Sequence, residues 1–324
     1  MIKNNRPFIR DAIIGGTGFV GSNLALQVED AEVFNSKTIG EIAGKSFGTL
    51  YCAAAPGSMF VANKFPDLDE ARIYALIKSL EQVRAERFVL ISTIAVLEDF
   101  GFEHDEYTQS YQTTLPYGQN RRRLEEAVEA HFETSLIVRL PALFGRGLTK
   151  NFIFDLLNPI PSMLTADTLG KALKMPQVGE LVGKLYAWVP ELDMYKIDRI
   201  ALSKLPEKFA LESAFAAVGF TAIGFHNCDT TYQFYNLKNL RADCDRAFEA
   251  GLSCIHLSPE PTSTAHVYEA LTGGPMPETV ARLHSEDLRT RHAAVWGRED
   301  GYIASADTVL AELAAFFNAE RAGN

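Results

Sequence analysis

Gly15-Gly16-Thr17-Gly18-Phe19-Val20-Gly21 constrains this chain more than any other segment. It separates a short strand-like run, Asp11–Ile14, from a stretch in which Phe19, Val20, Leu24, Leu26 and Val28 recur at helical spacing. Glycines at 15, 18 and 21 let the backbone turn tightly and let a pyrophosphate approach it. The helix that follows turns free N–H groups and its positive dipole end toward that anion. A strand before the glycines and a helix after them is the context in which the pattern has this meaning. Gly15, Thr17, Gly18, Phe19, Val20 and Gly21 are therefore candidate dinucleotide contacts. An acidic residue about 20 positions on, which would bind a ribose 2′-hydroxyl, is missing. The second strand, Ala31–Phe34, runs instead into Asn35-Ser36-Lys37. Their amide, hydroxyl and ammonium suit a 2′-phosphate, so the expected cofactor is NAD or NADP with a lean to NADP.

The rest of the chain continues the alternation. Strands are expected at Thr49–Ala53, Phe88–Ile91 and Leu136–Arg139, and helices at Asp69–Val83 and Tyr117–His131. Continuous apolar runs such as Phe88-Val89-Leu90-Ile91 belong in a parallel sheet covered on both faces. The fold class is therefore α/β, a Rossmann-like doubly wound parallel sheet. Beyond Leu148 the rhythm changes: residues 151–220 carry Pro159, Pro161, Pro176, Pro190 and Pro206 and no clear strand, which reads as a mostly helical insertion. Strand-like segments return at Thr221–Phe225, Tyr232–Tyr235 and Ser253–Leu257, with helices at Leu237–Ala250 and Ala306–Ala319. The expected division is a discontinuous cofactor domain, 1–150 plus 221–257, and a smaller, mostly helical substrate side, 151–220 plus 258–324.

Composition narrows the function. Lys and Arg number 31 against 41 Asp and Glu, a net charge of −10, which argues against nucleic acid or an anionic membrane as the main partner. No segment reaches the roughly 20 apolar residues of a membrane span. The four cysteines show no CxxC spacing, as expected of a reduced cytoplasmic protein. The seven histidines are scattered without HxxxH or HExxH spacing, so no metal is expected. The acidic stretch Glu98–Glu106 reads as a solvated loop rather than a lid.

Catalytic candidates lie where open α/β sheets place their ligand crevice. Ile91-Ser92-Thr93 ends an apolar strand, and Tyr117-Gly118-Gln119-Asn120-Arg121 opens a helix. Tyr117 and Arg121, four apart, share a helix face. A phenol titrating near 10 is a poor base at neutral pH unless a cation stabilises its phenolate, and Arg121 is placed to do so. Thr93 is placed to hold a substrate oxygen against the phenol. Arg122 and Arg123 read as surface charges with Glu125 and Glu126 in pairing range.

GGTGFVG, the small-residue strand end Ala53-Ala54-Ala55, Ser92-Thr93 and YGQNR resemble the extended short-chain dehydrogenase/reductases, within them the UDP-glucose 4-epimerase-like NAD-dependent epimerase/dehydratase family. YQFYNLKNL (232–240) and IHLSPEPTS (255–263) fit the same pattern, so the resemblance covers about 11–150 and 230–275. It implies an enzyme acting on a nucleotide sugar or related polyol by transient hydride transfer, as epimerase, dehydratase or reductase. In that family a tyrosine is the acid/base, a lysine four residues on lowers its pKa and binds the nicotinamide ribose, and a Ser or Thr positions substrate. Here those positions are Tyr117, Arg121 and Thr93. The resemblance adds Ala53, Ala54, Ala55 and Pro141 to the cofactor contacts, Arg146 and Asn151 to the substrate contacts, and a homodimer. There are departures. Arginine replaces the lysine and is not a conservative exchange. Too few residues separate Phe34 from Thr49 for an extra strand and helix around the adenine. Ala142 stands for a substrate-side asparagine, and an asparagine early in the helix before the catalytic strand is missing. These departures leave two alternatives open: a cofactor-binding but catalytically weak redox-sensing or scaffold protein, and a carbonyl reductase of another small metabolite.

Overall fold

A computed structural model describes residues 10–101, 103–176 and 178–323. In chain order the elements are β1 (Ala12–Ile14), α1 (Phe19–Ala25), β2 (Glu32–Phe34), β3 (Ser46–Cys52), α2 (Met59–Lys64), α3 (Pro66–Leu80), β4 (Arg84–Thr93), α4 (Pro116–His131), β5 (Ser135–Leu140) and β6 (Ala142–Phe144). Then come α5 (Phe152–Leu157), β7 (Met163–Leu164), α6 (Ala166–Ala172), α7 (Gly179–Leu185), β8 (Tyr186–Val189), β9 (Met194–Ile197), α8 (Arg199–Ser203) and α9 (Lys208–Ala217). The chain ends with β10 (Thr231–Tyr232), β11 (Phe234–Asn236), α10 (Leu240–Glu249), β12 (Cys254–His256), β13 (Thr262–Ser263), α11 (Thr264–Thr272) and α12 (Ala306–Gly323).

Six strands form one parallel sheet in the order β12-β5-β4-β3-β1-β2. The order reverses between β1 and β3, as in doubly wound sheets. Alternation along each strand explains why the runs are apolar throughout. Ile14, Leu50, Phe88, Leu90 and Ile137 pack on α3 and α4 through Ile73, Leu76, Leu124 and Val128. Ile13, Tyr51, Val89, Leu136 and Val138 pack on α1 and α10 through Leu24, Leu240, Cys244 and Ala247. Both faces are covered along these runs, so they show no polar alternation.

The chain divides into two compact units, residues 1–148, 231–262 and 285–313, and residues 149–230, 263–284 and 314–324. The first contains the parallel sheet. The second has its own core, built from Ile160, Leu164, Val182, Leu185, Ile197, Leu211 and Phe215.

The second unit departs from the expected mostly helical insertion without a clear strand. It holds a three-stranded antiparallel sheet in the order β7-β9-β8. Trp188 and Tyr195 sit opposite each other across it, with ring centroids 4.9 Å apart, a cross-strand aromatic pair of the kind that stabilises short ladders. The hairpin turn includes Pro190 and the left-handed Asp193 (φ 56°). Its strands are too short for a period-two pattern to stand out. Thr221–Phe225, expected as a strand, is a 3-10 turn over Ala222–Phe225. Gly224 N donates to Thr221 O at 3.0 Å, so this β-prone stretch closes on itself. Pro66 starts α3 three residues before its expected first residue, as proline at a first helical position does.

Candidate active site

The glycine turn joins β1 to α1, and the three glycines do different things there. Gly15 has φ +86°, and a Cβ on it would stand 2.5 Å from Ala53 O. A Cβ on Gly21 would stand 2.2 Å from Gly15 O, so this glycine lets α1 pack onto the turn. Gly16 N donates to Phe34 O at 3.2 Å, and Gly15 N to the same carbonyl at 2.8 Å, which ties the turn to β2. Gly18 differs from the other two. Its backbone is extended (φ −78°, ψ 169°), it is exposed, and the one atom within 4 Å of a Cβ built on it is Gly15 O at 3.3 Å. Thr17 is exposed with it, while Phe19 and Val20 are half-buried. The cradle thus fits a dinucleotide pyrophosphate on the side of Gly18, where a side chain would fill the approach and where the protein itself demands no glycine.

Asn35, Ser36 and Lys37 follow β2. Asn35 Oδ1 accepts from Lys37 N at 2.8 Å, and Asn35 N donates to Thr38 Oγ1 at 3.0 Å, just ahead of a 3-10 turn over Ile39–Ile42. That turn is the only element among the described residues between β2 and β3, in keeping with the short spacing read from the sequence. Ser36 and Lys37 are exposed.

The segment after β3 connects two parts of the site. Ala53 lies against Gly15, and Ala53 N donates to Ile14 O at 2.8 Å. Ala54 and Ala55 are half-buried, and three residues beyond Ala53 the carbonyl of Pro56 accepts from Arg121 Nη2. One short loop therefore touches the glycine turn on one side and the Tyr117 helix on the other.

Tyr117 occupies the first turn of α4, behind Pro116, and its backbone N–H donates to Asn63 Oδ1 of α2 at 3.0 Å. Thr93 ends β4, accepts from Ala95 N at 3.2 Å through Oγ1, and is a hydrogen-bond partner of the Tyr117 side chain. The two catalytic candidates are thus brought together at the carboxyl end of the sheet. Arg121 is placed beside them. Its guanidinium lies 4.0 Å from the Tyr117 ring centroid, over the ring face. The side chain is 2% exposed, and both terminal nitrogens bond Asp69 of α3, Nη1 to Oδ2 and Nη2 to Oδ1 (the latter 3.0 Å). Nη1 also donates to Tyr117 O at 3.2 Å. Nε is buried and has no hydrogen-bond partner. Asn120 Nδ2 donates to the same Asp69 Oδ2 at 2.9 Å. Burial pushes the Tyr117 phenol above its ordinary value; Arg121 and Thr93 oppose that shift, and Asp69 reinforces it. Arg121 thus pulls the phenol downward, the direction expected of it, while burial leaves the net shift upward.

Beneath this pair lies a second buried network. Glu125, four residues beyond Arg121 on the same helix face, is fully buried. It accepts from Ser92 Oγ (2.5 Å), Arg139 Nε (3.0 Å), Arg139 Nη2 (2.8 Å) and Arg122 Nη1 (3.0 Å). Arg139 Nη1 faces His256 Nε2 at 3.3 Å. The guanidinium can only donate, so His256 carries its proton on Nδ1 and gives it to Arg289 O at 3.1 Å. Burial lowers the His256 pKa. Glu106 accepts from His256 N (2.8 Å), Thr290 Oγ1 (2.6 Å) and Arg291 N (3.0 Å). The end of the acidic stretch is thus buried structure, not solvated loop. Arg123 pairs with Glu70, and Arg122 stacks over Tyr111 at 4.4 Å.

Pro141, between β5 and β6, is half-buried, and Ala142 opens β6, which pairs in parallel with β11. Arg146 is exposed, with its carbonyl accepting from Asn23 Nδ2 at 2.9 Å. Asn151 belongs to the other unit, where its Oδ1 caps α5 by accepting from Phe154 N at 3.1 Å. Asp99, Glu103 and His104 bring one possible metal-ligand atom each within 4.8 Å of one another, an arrangement that histidine spacing does not reveal. Asp69, Asn63, Asn120 and Glu125 were missed by sequence reasoning. The available signal was the spacing of Tyr117, Arg121 and Glu125, which puts all three on one face of α4. Nothing comparable marks Asp69, whose partner is distant in sequence.

No protein-family model matches the chain, and no curated protein does. Solved structures do. RMD from Pseudomonas aeruginosa, complexed with NADPH, is 12% identical over 97% of this chain and 100% of its own, with a TM-score of 0.61. The dTDP-4-dehydrorhamnose reductase of Bacillus anthracis, in complex with NADP, is 14% identical over 97% and 99%, at 0.59. UDP-glucose 4-epimerase from Thermotoga maritima, with UDP-glucose, is 10% identical over 97% and 99%, at 0.57. The fold is shared. Helices among the described residues are nowhere long and apolar enough to cross a membrane.

Proposed function

We propose that this chain is an NAD(P)-dependent oxidoreductase or epimerase whose substrate is a nucleotide sugar or related polyol, with Tyr117 as its proton-transferring group. The observation that carries the reading is the Ala53–Pro56 loop, which borders Gly15 at one end and Arg121 beside Tyr117 at the other. A dinucleotide seated on Gly18 would extend along this loop toward the phenol. The similarity to structures that hold NADP, NADPH and UDP-glucose supports the same reading.

In this reading the turn at Gly15–Gly21 holds the pyrophosphate, and Asn35, Ser36 and Lys37 face the adenosine ribose. Ala53–Ala55 and Pro141 line the cofactor. Thr93 orients a substrate oxygen, and Tyr117 exchanges a proton with it. A bound nicotinamide supplies or takes up the hydride at the carbon carrying that oxygen. Arg146 and Asn151 are proposed to meet the nucleotide portion of the substrate.

Titration with NAD, NADH, NADP and NADPH, followed by fluorescence and calorimetry, tests the reading, with NADP(H) expected to bind more tightly. Binding of none of the four would end it. Turnover on a panel of nucleotide sugars, compared with Tyr117→Phe, then tests the role of the phenol. A dinucleotide-binding protein with weak turnover is a second reading, favoured by the engagement of Arg121 with Asp69. A large gain in turnover in Arg121→Lys would support that one.

A further inference from the structure

The groups that act on the Tyr117 side chain come from three elements: Arg121 on α4, Asp69 on α3 and Thr93 at the end of β4. Asn63 of α2 reaches only the Tyr117 backbone N–H. The two charges act on the phenol in opposite directions, Arg121 lowering its pKa and Asp69 raising it. Asp69 is 3% exposed and meets Arg121 through both carboxylate oxygens, while Pro56 O and Tyr117 O occupy further guanidinium donors. The cation is thereby held against the face of the phenol ring.

We infer that Asp69 is a positioning residue: it offsets the charge of Arg121 and fixes it under the Tyr117 ring, so that the site delivers a proton to a substrate oxygen and works as a carbonyl reductase. This deepens the reading given under Proposed function and rests on it. In the step that follows, the substrate carbonyl carbon accepts a hydride from reduced nicotinamide, forming a C–H bond as the C=O π pair moves onto oxygen. The Tyr117 O–H bond breaks, and its proton goes to that oxygen to complete the alcohol. Water then returns a proton to the phenolate.

An uncompensated cation within about 4–6 Å lowers the pKa of an acid by roughly 1–3 units, whereas an ion pair seen from the same distance presents only a dipole. Removing the Asp69 charge should therefore strengthen the action of Arg121 on Tyr117. The direction of the Tyr117 shift agrees, since burial outweighs the attraction of Arg121. The oxidising direction would need the phenolate and would gain about tenfold per pH unit up to the phenol midpoint. The reducing direction needs the phenol and would stay level until that midpoint.

The test is the ultraviolet titration of phenolate, as the difference between the protein and its Tyr117→Phe variant, which isolates this tyrosine from the others. The expected midpoint lies above the ordinary value of about 10. In Asp69→Asn, measured against Asp69→Asn/Tyr117→Phe, it should fall by about one unit or more. In Asp69→Asn/Arg121→Gln it should return toward the wild-type position. A wild-type midpoint below about 10 overturns the inference even if Asp69→Asn does not fold. So does an unmoved midpoint in a folded Asp69→Asn. These readouts need no substrate, so failure to bind NAD(P)(H) would sink the functional reading separately. With substrate present, the alkaline limb of kcat/KM for reduction should move down in Asp69→Asn by the same interval as the spectroscopic midpoint, a shift that mere loosening of the fold would not produce.

Discussion

Replacing Gly18 with alanine separates the architecture of the turn from its capacity to bind. At Gly18 the backbone is already extended, and the added methyl meets a single protein atom, Gly15 O, at 3.3 Å. Such a contact asks for a shift of a few tenths of an ångström. Against it stands the gain of about 0.4–1 kcal/mol from a less flexible unfolded chain. The net change in stability should fall within about 1 kcal/mol, a shift in melting temperature of no more than about 2–4 °C. A pyrophosphate that rests on Gly18 meets the methyl as overpacking, which costs about 1–3 kcal/mol and weakens binding roughly 5- to 150-fold. Gly21→Ala is the internal control. Its methyl would lie 2.2 Å from Gly15 O and 2.8 Å from Gly16 Cα, both main-chain atoms that cannot swing aside. It should destabilise by about 2–3 kcal/mol despite the better helix propensity of alanine. Differential scanning fluorimetry and quenching of NADPH fluorescence read the two effects separately. If Gly18→Ala binds NADPH as the wild type does, the cradle is not where the dinucleotide sits. If it unfolds like Gly21→Ala, the assignment of roles within the turn is wrong.

Three further outcomes are expected. Lys37→Glu should raise the Kd for NADPH by about tenfold or more while leaving that for NADH nearly unchanged, because the exposed ammonium would contact only a 2′-phosphate. Glu125→Gln leaves the Arg139 guanidinium, 2% exposed, without its carboxylate and should cost about 3–5 kcal/mol in urea unfolding. His256, whose pKa is lowered by burial, binds its proton more readily in the unfolded chain; stability should decline as pH falls below about 6.5, by up to roughly 1.4 kcal/mol per unit from this group. Subtracting the same denaturation series in His256→Gln isolates that slope.

Elements with strong local signals were legible before folding was considered. The glycine turn, β4 and α4 fall within a few residues of where periodicity puts them, since a fully covered strand and a long amphipathic helix each carry their own pattern. The short strands β7, β8 and β9 carry no such pattern, because a ladder of two to four residues is stabilised by its neighbour rather than by its own sequence. The same distinction runs through the site. Tyr117 and Thr93 stand out from their places at a helix start and a strand end. Asn63, Asp69 and Glu125 do not, because each works through a partner on another element.

Local sterics, side-chain periodicity and the absence of a Cβ at three positions suffice to specify the parallel sheet and the shape of the glycine turn, and all three are written in the residue order. It also placed a cation one helical turn from a phenol. What that cation does depends on how the helices pack. Asp69 lies far from Arg121 along the chain, and packing of α3 against α4 brings their charged groups into a buried pair. Charge acts through distance and burial, so the electrostatic state of Tyr117 is a property of the packed helices and not of the YGQNR motif that carries it.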